Sequence, residues 1–168
     1  MDIVKKIILL GVLAFFIMAP TSQASDSVNA GISKDTRCAV CGMFVVKYPT
    51  WICKIVLQNG KIEYFDGVKD MMAYYFTPGK YGDSSKKDIK EIEVQDYYSL
   101  KWFNAKQGYF VMGSDVYGPM GNELIPFSSN EAAESFAKDH KAKSVLGFHE
   151  ITPSMVQALR QGQMMKMK

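Results

Sequence analysis

An Asn-Gly dipeptide between two apolar segments is the feature that most restricts how this chain can fold. Residues 51–57 (WICKIVL) and 61–65 (KIEYF) are rich in β-branched and aromatic side chains, and Asn59-Gly60 lies between them. Both residues of this dipeptide tolerate the positive φ angles of a type I′ turn. The segment therefore predicts an antiparallel hairpin, and a fold with antiparallel strands.

A helix is predicted directly after this hairpin. Asp66 is a suitable N-cap residue, and Thr77-Pro78-Gly79 ends the segment. The apolar residues between them recur at the i, i+3, i+4, i+7 and i+8 positions of one helix face, and they are Val68, Met71, Met72, Tyr75 and Phe76.

The second half of the chain repeats this plan. Strands are predicted at residues 92–98, 108–112 and 123–127, and a helix is predicted to start with a capping box at Ser128–Glu131. When Phe65-Asp66 is aligned with Phe127-Ser128, both helices follow a strand at the same offset. We therefore predict an α+β fold of two similar strand-strand-helix units, with chance similarity of two amphipathic helices as the alternative.

The N-terminal segment is predicted to direct export. Residues 1–24 contain the basic start MDIVKK, an apolar run at residues 7–19 and the small-residue end Ser22-Gln23-Ala24, the order found in a cleaved signal peptide. The apolar run is shorter than the roughly 20 residues of a spanning helix, although an uncleaved anchor is the alternative. No cysteine lies near the cleavage point, so we expect a periplasmic protein that is not obviously lipidated.

The remaining residues fit one compact domain. A last short helix is predicted after Thr152-Pro153, because proline suits the first turn of a helix. The expected parts are a flexible lead-in, a folded region with two halves and a C-terminal helix, and a tail, at residues 25–37, 38–160 (halves of about 38–78 and 91–140) and 161–168. The formal net charge of +3 is too small to favour nucleic acid as a partner.

Cysteine chemistry is concentrated in the segment CAVCGM, residues 38–43. The chain has three cysteines, an odd number that excludes a disulfide-stapled scaffold. Cys38 and Cys41 have the Cys-x-x-Cys spacing of a thiol redox site, but such a site normally begins a helix. Here a β-rich segment follows, which disfavours a thioredoxin fold.

A structural zinc site is a second interpretation of Cys38 and Cys41. Such a site needs four ligands, and the other candidates are Cys53, His140 and His149. Cys53 alternates with apolar residues along a predicted strand, so we expect it to lie in the core. The two histidines are nine residues apart, which is not the usual spacing of a zinc pair.

Binding of a soft metal ion is the third interpretation. A cysteine thiolate and a methionine thioether together favour copper(I), and Cys41-Gly42-Met43 contains both. A second candidate is Met120 in the segment GSDVYGPMG, because glycine and proline around a methionine indicate a loop rather than a core element.

These segments resemble the NosL family, the accessory proteins of bacterial nitrous oxide reductase. The resemblance covers about residues 38–140 and is most specific at Cys41-Gly42-Met43, Phe65-Asp66, residues 97–102 and the GS…GPMG…PF pattern of residues 111–127. It implies a copper(I) metallochaperone, not an enzyme, and a fold related to that of the organomercurial lyase. It also implies copper ligands at Cys41, Met43 and Met120.

The partners that the resemblance implies are nitrous oxide reductase and its assembly machinery, including a membrane transporter complex. The chain departs from the family in two ways: it has no lipobox cysteine, and Cys38 adds a thiol. Cys38 is expected to be either an additional ligand or a disulfide partner of Cys41. The alternative functions are a periplasmic thiol-disulfide oxidoreductase that uses Cys38 and Cys41, and a copper storage or sensing module.

Overall fold

The computed structural model of the protein describes Asn29 and residues 31–162. The predicted signal peptide and residues 163–168 of the predicted tail lie outside this part of the chain. Within it, every helix is too short or too polar to cross a bilayer. The sequence predicted that ordered structure starts at Cys38. Contacts with the folded region begin earlier, since the side chain of Asn29 donates to the Pro49 carbonyl and accepts from the Gln95 side chain.

Two antiparallel sheets are present in the described residues. The first sheet has the strand order β2-β1-β3-β4, with β1 at Cys53–Leu57, β2 at Ile62–Phe65, β3 at Ile89–Gln95 and β4 at Trp102–Asn104. The second sheet has the order β6-β5-β7, with β5 at Tyr109–Gly118, β6 at Gly121–Phe127 and β7 at Ser144–Gly147. The helices are α1 at Val68–Phe76, α2 at Asn130–Asp139 and α3 at Pro153–Arg160.

This architecture confirms the prediction of an α+β fold with antiparallel strands. The β1–β2 hairpin precedes α1, and the β5–β6 hairpin precedes α2. Whether these two units arose by duplication, and whether the fold is related to the organomercurial lyase, remain predictions. The short strands β4 and β7 were not predicted, because three or four residues carry too little alternation to be recognised.

The hairpin between β1 and β2 is confirmed, but its predicted turn type is wrong. Leu57 donates its N–H to the carbonyl of Lys61, and Gly60 donates to the carbonyl of Leu57, at 2.8 and 2.9 Å. Of the three residues between Leu57 and Lys61, only Gly60 has a positive φ, of 85°. The connection is thus a three-residue loop that ends in a left-handed glycine, which is another common hairpin form.

Helix α1 begins close to the predicted position, but Asp66 does not cap it. The N-cap residue is Gly67, and no side chain of the N-cap position bonds to the first turn. Instead, Glu123 of β6 accepts a hydrogen bond from the N–H of Lys69 at 2.6 Å. A carboxylate from the second sheet therefore satisfies a free donor of the helix N-terminus, and Asp66 is available for other contacts.

Helix α2 shows a smaller shift from its predicted start. Ser129, not Ser128, is the N-cap residue, and its hydroxyl accepts from the N–H of Ala132. Ser128 instead donates its N–H and hydroxyl to Asp96, both at 2.8 Å. The predicted capping box is therefore wrong by one residue. The predicted start of α3 is confirmed, with Thr152 as its cap.

The two faces of β5 belong to two apolar cores. Phe110 and Met112 pack into the main core, whereas Val111 packs into a second core beneath α2, since alternate strand residues point to opposite faces. Helix α1 is the most enclosed element, with Val68 to Tyr74 all buried. It packs against α3 and β6, so its polar residues must find partners inside the protein.

Candidate metal centre

The segment CAVCGM forms a tight loop at the edge of the first sheet. The N–H of Cys38 donates to the carbonyl of Met43, and the N–H of Gly42 donates to the carbonyl of Cys38, at 2.8 and 3.0 Å. Gly42 has a φ of 77°, an angle that glycine adopts easily. The N–H of Ala39 donates to the carbonyl of Tyr64 in β2, which fixes the loop beside the start of α1.

Four ligand atoms converge where this loop meets α1. The sulfur atoms of Cys38 and Cys41 and one carboxylate oxygen each of Asp66 and Asp70 all lie within 4.8 Å of one another. Cys41 donates to both carboxylate oxygens of Asp66, at 3.3 and 3.4 Å. Cys38 donates to Asp70 Oδ2 at 3.7 Å. We call these four residues the Cys/Asp cluster.

The sequence reasoning found the two cysteines of the cluster but not its aspartates. Asp66 precedes the N-cap Gly67, and Asp70 lies in the first turn of α1. Their four-residue spacing is the signal that was available, because residues at i and i+4 share a helix face. Because Asp66 also has the sequence position of a helix N-cap, this spacing alone does not indicate a metal ligand.

Burial and acidic neighbours keep both thiols protonated at neutral pH. Burial raises the pKa of Cys41 to about 11; the Asp66 carboxylate adds to this rise, while the N–H of Met43 opposes it. Burial also raises the pKa of Cys38 far above its usual range, again with a contribution from Asp66. A redox-active thiol needs a lowered pKa, so this electrostatic setting disfavours thiol-disulfide catalysis.

Asp70 connects the cluster to the C-terminal helix. Burial raises the pKa of its carboxyl group, and the Arg160 guanidinium opposes that rise. Arg160 Nε lies 3.1 Å from Asp70 Oδ1, and its Nη1 donates to the Tyr81 hydroxyl at 2.9 Å. Arg160, the last residue of α3, thus binds one carboxylate oxygen of Asp70. The other oxygen, Oδ2, accepts from Cys38.

Met120 lies at the tip of the β5–β6 hairpin. Gly118 pairs with Gly121 across this hairpin, so Pro119 and Met120 are the two central residues of the turn, as the loop interpretation predicted. Met120 is 49% exposed. Met120 and Asp70 line the same cavity of about 520 Å³, together with residues of α1 and α3. The hairpin tip therefore shares a cavity with one residue of the Cys/Asp cluster, whereas Cys38 and Cys41 do not line it.

The remaining sequence candidates lie elsewhere or make other contacts. Met43 is partly buried in the CAVCGM loop, next to Cys41. Cys53 is buried and its Sγ contacts the Trp51 carbonyl at 3.4 Å, which confirms its predicted place in the core. His140 Nδ1 contacts Asp115 at 2.7 Å, and neither it nor His149 belongs to the Cys/Asp cluster.

The fold and this cluster define a small α+β protein with a mixed sulfur and oxygen site of the kind that can hold a metal ion. The chain belongs to the NosL family, whose profile matches residues 29–156. The copper-binding lipoprotein NosL of Stutzerimonas stutzeri is 27% identical over 129 residues, which are 72% of this chain and 64% of that protein.

Two solved structures are also similar to this chain. The crystal structure of the copper chaperone NosL from Shewanella denitrificans is 25% identical, with a TM-score of 0.61, and the match covers 73% of this chain and 94% of that one. The solution structure of apo-NosL from Achromobacter cycloclastes is 28% identical, with a TM-score of 0.46, and covers 62% of this chain and 87% of that one.

Proposed function

We propose that this protein is an exported copper(I) chaperone that supplies copper for the copper centres of nitrous oxide reductase. The supporting observation is the convergence of Cys38 and Cys41 with Asp66 and Asp70, in a member of the NosL family. Met120 lines a cavity that Asp70 also lines, and in this proposal its thioether is a further sulfur ligand from a separate segment of the sequence. Binding and transfer of an ion need no chemical catalysis, so we expect no enzymatic activity.

In this proposal the Cys41 thiolate is the principal ligand of copper(I). Cys41 is more accessible than Cys38, which is only 3% exposed, and it lies beside Met43. Thiolate and thioether ligands match the soft copper(I) ion. Cys38 is the second thiolate in reach, and both cysteines are free thiols in the structure.

The aspartates serve a different purpose from the sulfur ligands. Carboxylates are hard ligands and bind copper(I) weakly, but their negative charges stabilise a cation nearby. When copper(I) binds, it replaces the thiol proton that Cys41 donates to Asp66. Asp66 and Asp70 therefore favour either a proton or a metal ion on the thiols, and disfavour bare thiolates.

Delivery would proceed by ligand exchange through the exposed side of the site. Met43 and Met120 are neutral ligands that an acceptor's own ligands can replace without separating charge. The cavity beside Asp70 and Met120 is open to an approaching partner. The proposed partners are nitrous oxide reductase and its assembly machinery, including a membrane transporter complex.

An anaerobic copper(I) competition titration tests the proposal. The reduced protein should bind one equivalent tightly; Cys41→Ser should abolish that binding, and Met120→Ala should weaken it roughly 10-fold to 100-fold. Cys53→Ser is the matched control, since Cys53 is buried outside the cluster. Full-strength binding by a Cys41→Ser, Met120→Ala double variant would refute the site.

Two measurements separate this function from its alternatives. A parallel titration with Zn²⁺ tests metal preference, because zinc also accepts thiolate and carboxylate ligands. Transfer of copper(I) from the loaded protein to the copper-free reductase distinguishes delivery from storage or sensing. Retention of copper in that assay would favour storage.

A further inference from the structure

Lys69 is a buried lysine whose partners all belong to the β5–β6 hairpin. It is only 2% exposed. Its ammonium group donates to the backbone carbonyls of Met120 and Asn122, both at 2.9 Å. Its backbone N–H donates to Glu123 at 2.6 Å. One residue of α1 thus makes three hydrogen bonds to the segment that carries Met120.

The position of Lys69 relates these bonds to the Cys/Asp cluster. Its neighbour Asp70 belongs to the cluster, and Asp66 lies three residues earlier. A buried ammonium group is costly unless its hydrogen-bonding capacity is used. Here two of its donors hold Met120, one of the two central residues of the turn, and Asn122, which follows the turn in β6. The same ammonium group therefore sets the distance between the hairpin tip and the helix of the cluster.

Glu123 also connects the start of α1 to the β5–β6 hairpin. Its Oε1 also accepts from the N–H of Leu124 at 2.9 Å. Both Gly67 and Gly118 leave room for it: a Cβ at Gly67 would collide with Glu123 Oε2, and one at Gly118 would lie 3.1 Å from Glu123 Cγ. The hairpin and the start of α1 are thus fitted together closely around one carboxylate.

We infer that Lys69 is a positioning residue for the metal site: by binding the Met120 and Asn122 carbonyls, it fixes the hairpin tip that carries Met120 to the helix that carries Asp70 of the Cys/Asp cluster, and so sets the position from which the Met120 thioether binds copper(I). This inference rests on the proposed copper function. Lys69 offers copper no ligand, because its donors are directed at the backbone. It acts through Met120, and its effect on copper binding should disappear when the Met120 thioether is removed.

A double-variant cycle on the full protein tests this role. Copper(I) affinity is measured for the wild type, Lys69→Leu, Met120→Ala and the combined variant. Lys69→Leu removes the ammonium group without adding a sulfur atom, and it should weaken binding roughly 10-fold to 100-fold, as expected for residues that orient a metal ligand. In the Met120→Ala background the same substitution should have no further effect. Lys69→Arg, which can still donate to both carbonyls, should retain most of the wild-type affinity for copper(I).

Lys80→Leu is the matched control. Lys80 lines the same cavity but contacts the Tyr81 ring rather than the hairpin tip, so its loss should leave the affinity unchanged. X-ray absorption supplies a second readout: the copper site of Lys69→Leu should lose one sulfur neighbour, as that of Met120→Ala should. If Lys69→Leu does not fold, Lys69→Gln, which is too short to reach the tip, takes its place.

The outcomes distinguish this inference from the proposed function. Absence of tight copper binding by the wild type would overturn both. Tight wild-type binding that Lys69→Leu does not change would overturn the inference alone. Equal weakening by Lys69→Leu with and without the Met120 thioether would also overturn it, because Lys69 would then act on the fold as a whole.

Discussion

The two helices that follow hairpins begin in contrasting ways. Helix α2 is capped by its own Ser129, whereas α1 is capped by Glu123, which is 54 residues away. The carboxylate nearest to α1 in sequence, Asp66, accepts the Cys41 thiol instead. A helix start that lies at a candidate metal site thus depends on a distant residue for its capping, while one that lies away from the site follows local rules.

Replacing Glu123 should have the largest effect on stability. Glu123→Ala leaves the buried N–H groups of Lys69 and Leu124 without acceptors, and each such loss costs about 1–3 kcal/mol. We expect the free energy of unfolding to fall by about 3 kcal/mol, measured by urea denaturation under reducing conditions. Glu123→Gln keeps a carbonyl acceptor and the side-chain volume, and should retain most of the stability. Equal losses for both variants would contradict the capping role.

Replacing Asp96 should have an intermediate effect that depends on pH. Burial alone would raise the pKa of Asp96, but hydrogen bonds from Ser128 and Ser99 lower it overall. A carboxylate whose pKa is lower in the folded state stabilises the protein above its unfolded pKa of about 3.9, and this stabilisation is lost as the pH falls through the folded value. Asp96→Asn should lower the free energy of unfolding by about 2 kcal/mol at pH 7.

The pH dependence of stability under acidic conditions tests this prediction. The difference between the wild type and Asp96→Asn should shrink as urea titrations are repeated at decreasing pH below about 4. A difference that is constant from pH 7 to the acid limit would mean that the carboxylate charge at Asp96 contributes nothing. Asp115→Asn is a suitable control, because Asp115 contacts His140 near the surface.

Replacing Ser129 should have the smallest effect. Ser129→Ala removes one hydrogen bond at the exposed start of α2, and loss of such a cap costs about 1 kcal/mol. Ser129→Asp should recover that stability, since a carboxylate also accepts from the first turn. A loss from Ser129→Ala as large as that from Glu123→Ala would remove the contrast between the two helix starts.

Local sequence patterns predicted the elements whose cause is local. The apolar period of α1, the Thr152-Pro153 start of α3 and the hairpin around Gly60 all follow from residues within a few positions of one another. Strand ends were less predictable: β3 was placed at residues 92–98 but spans Ile89–Gln95, because Asp96 begins a turn instead. Alternation alone does not show where pairing stops.

The candidate site was predictable only in part for the same reason. CAVCGM and GPMG stand out by composition, which directs attention to Cys41 and Met120. Asp70, Glu123 and Lys69 look like ordinary surface residues in the sequence, yet each is buried. Their roles arise from contacts between α1 and residues 32 or more positions away, and one sequence contains no record of such pairings.

The two-residue turn at the tip of β5–β6 is attached to the rest of the fold through its backbone. Lys69 holds this tip through the carbonyls of Met120 and Asn122, so the side chain at position 120 bears none of the attachment and is half exposed. A change from a thioether to an imidazole or a carboxylate there should therefore cost little stability. If Met120 binds copper(I) as proposed, the same change would make the site harder, and the preferred metal could be altered without changing the scaffold.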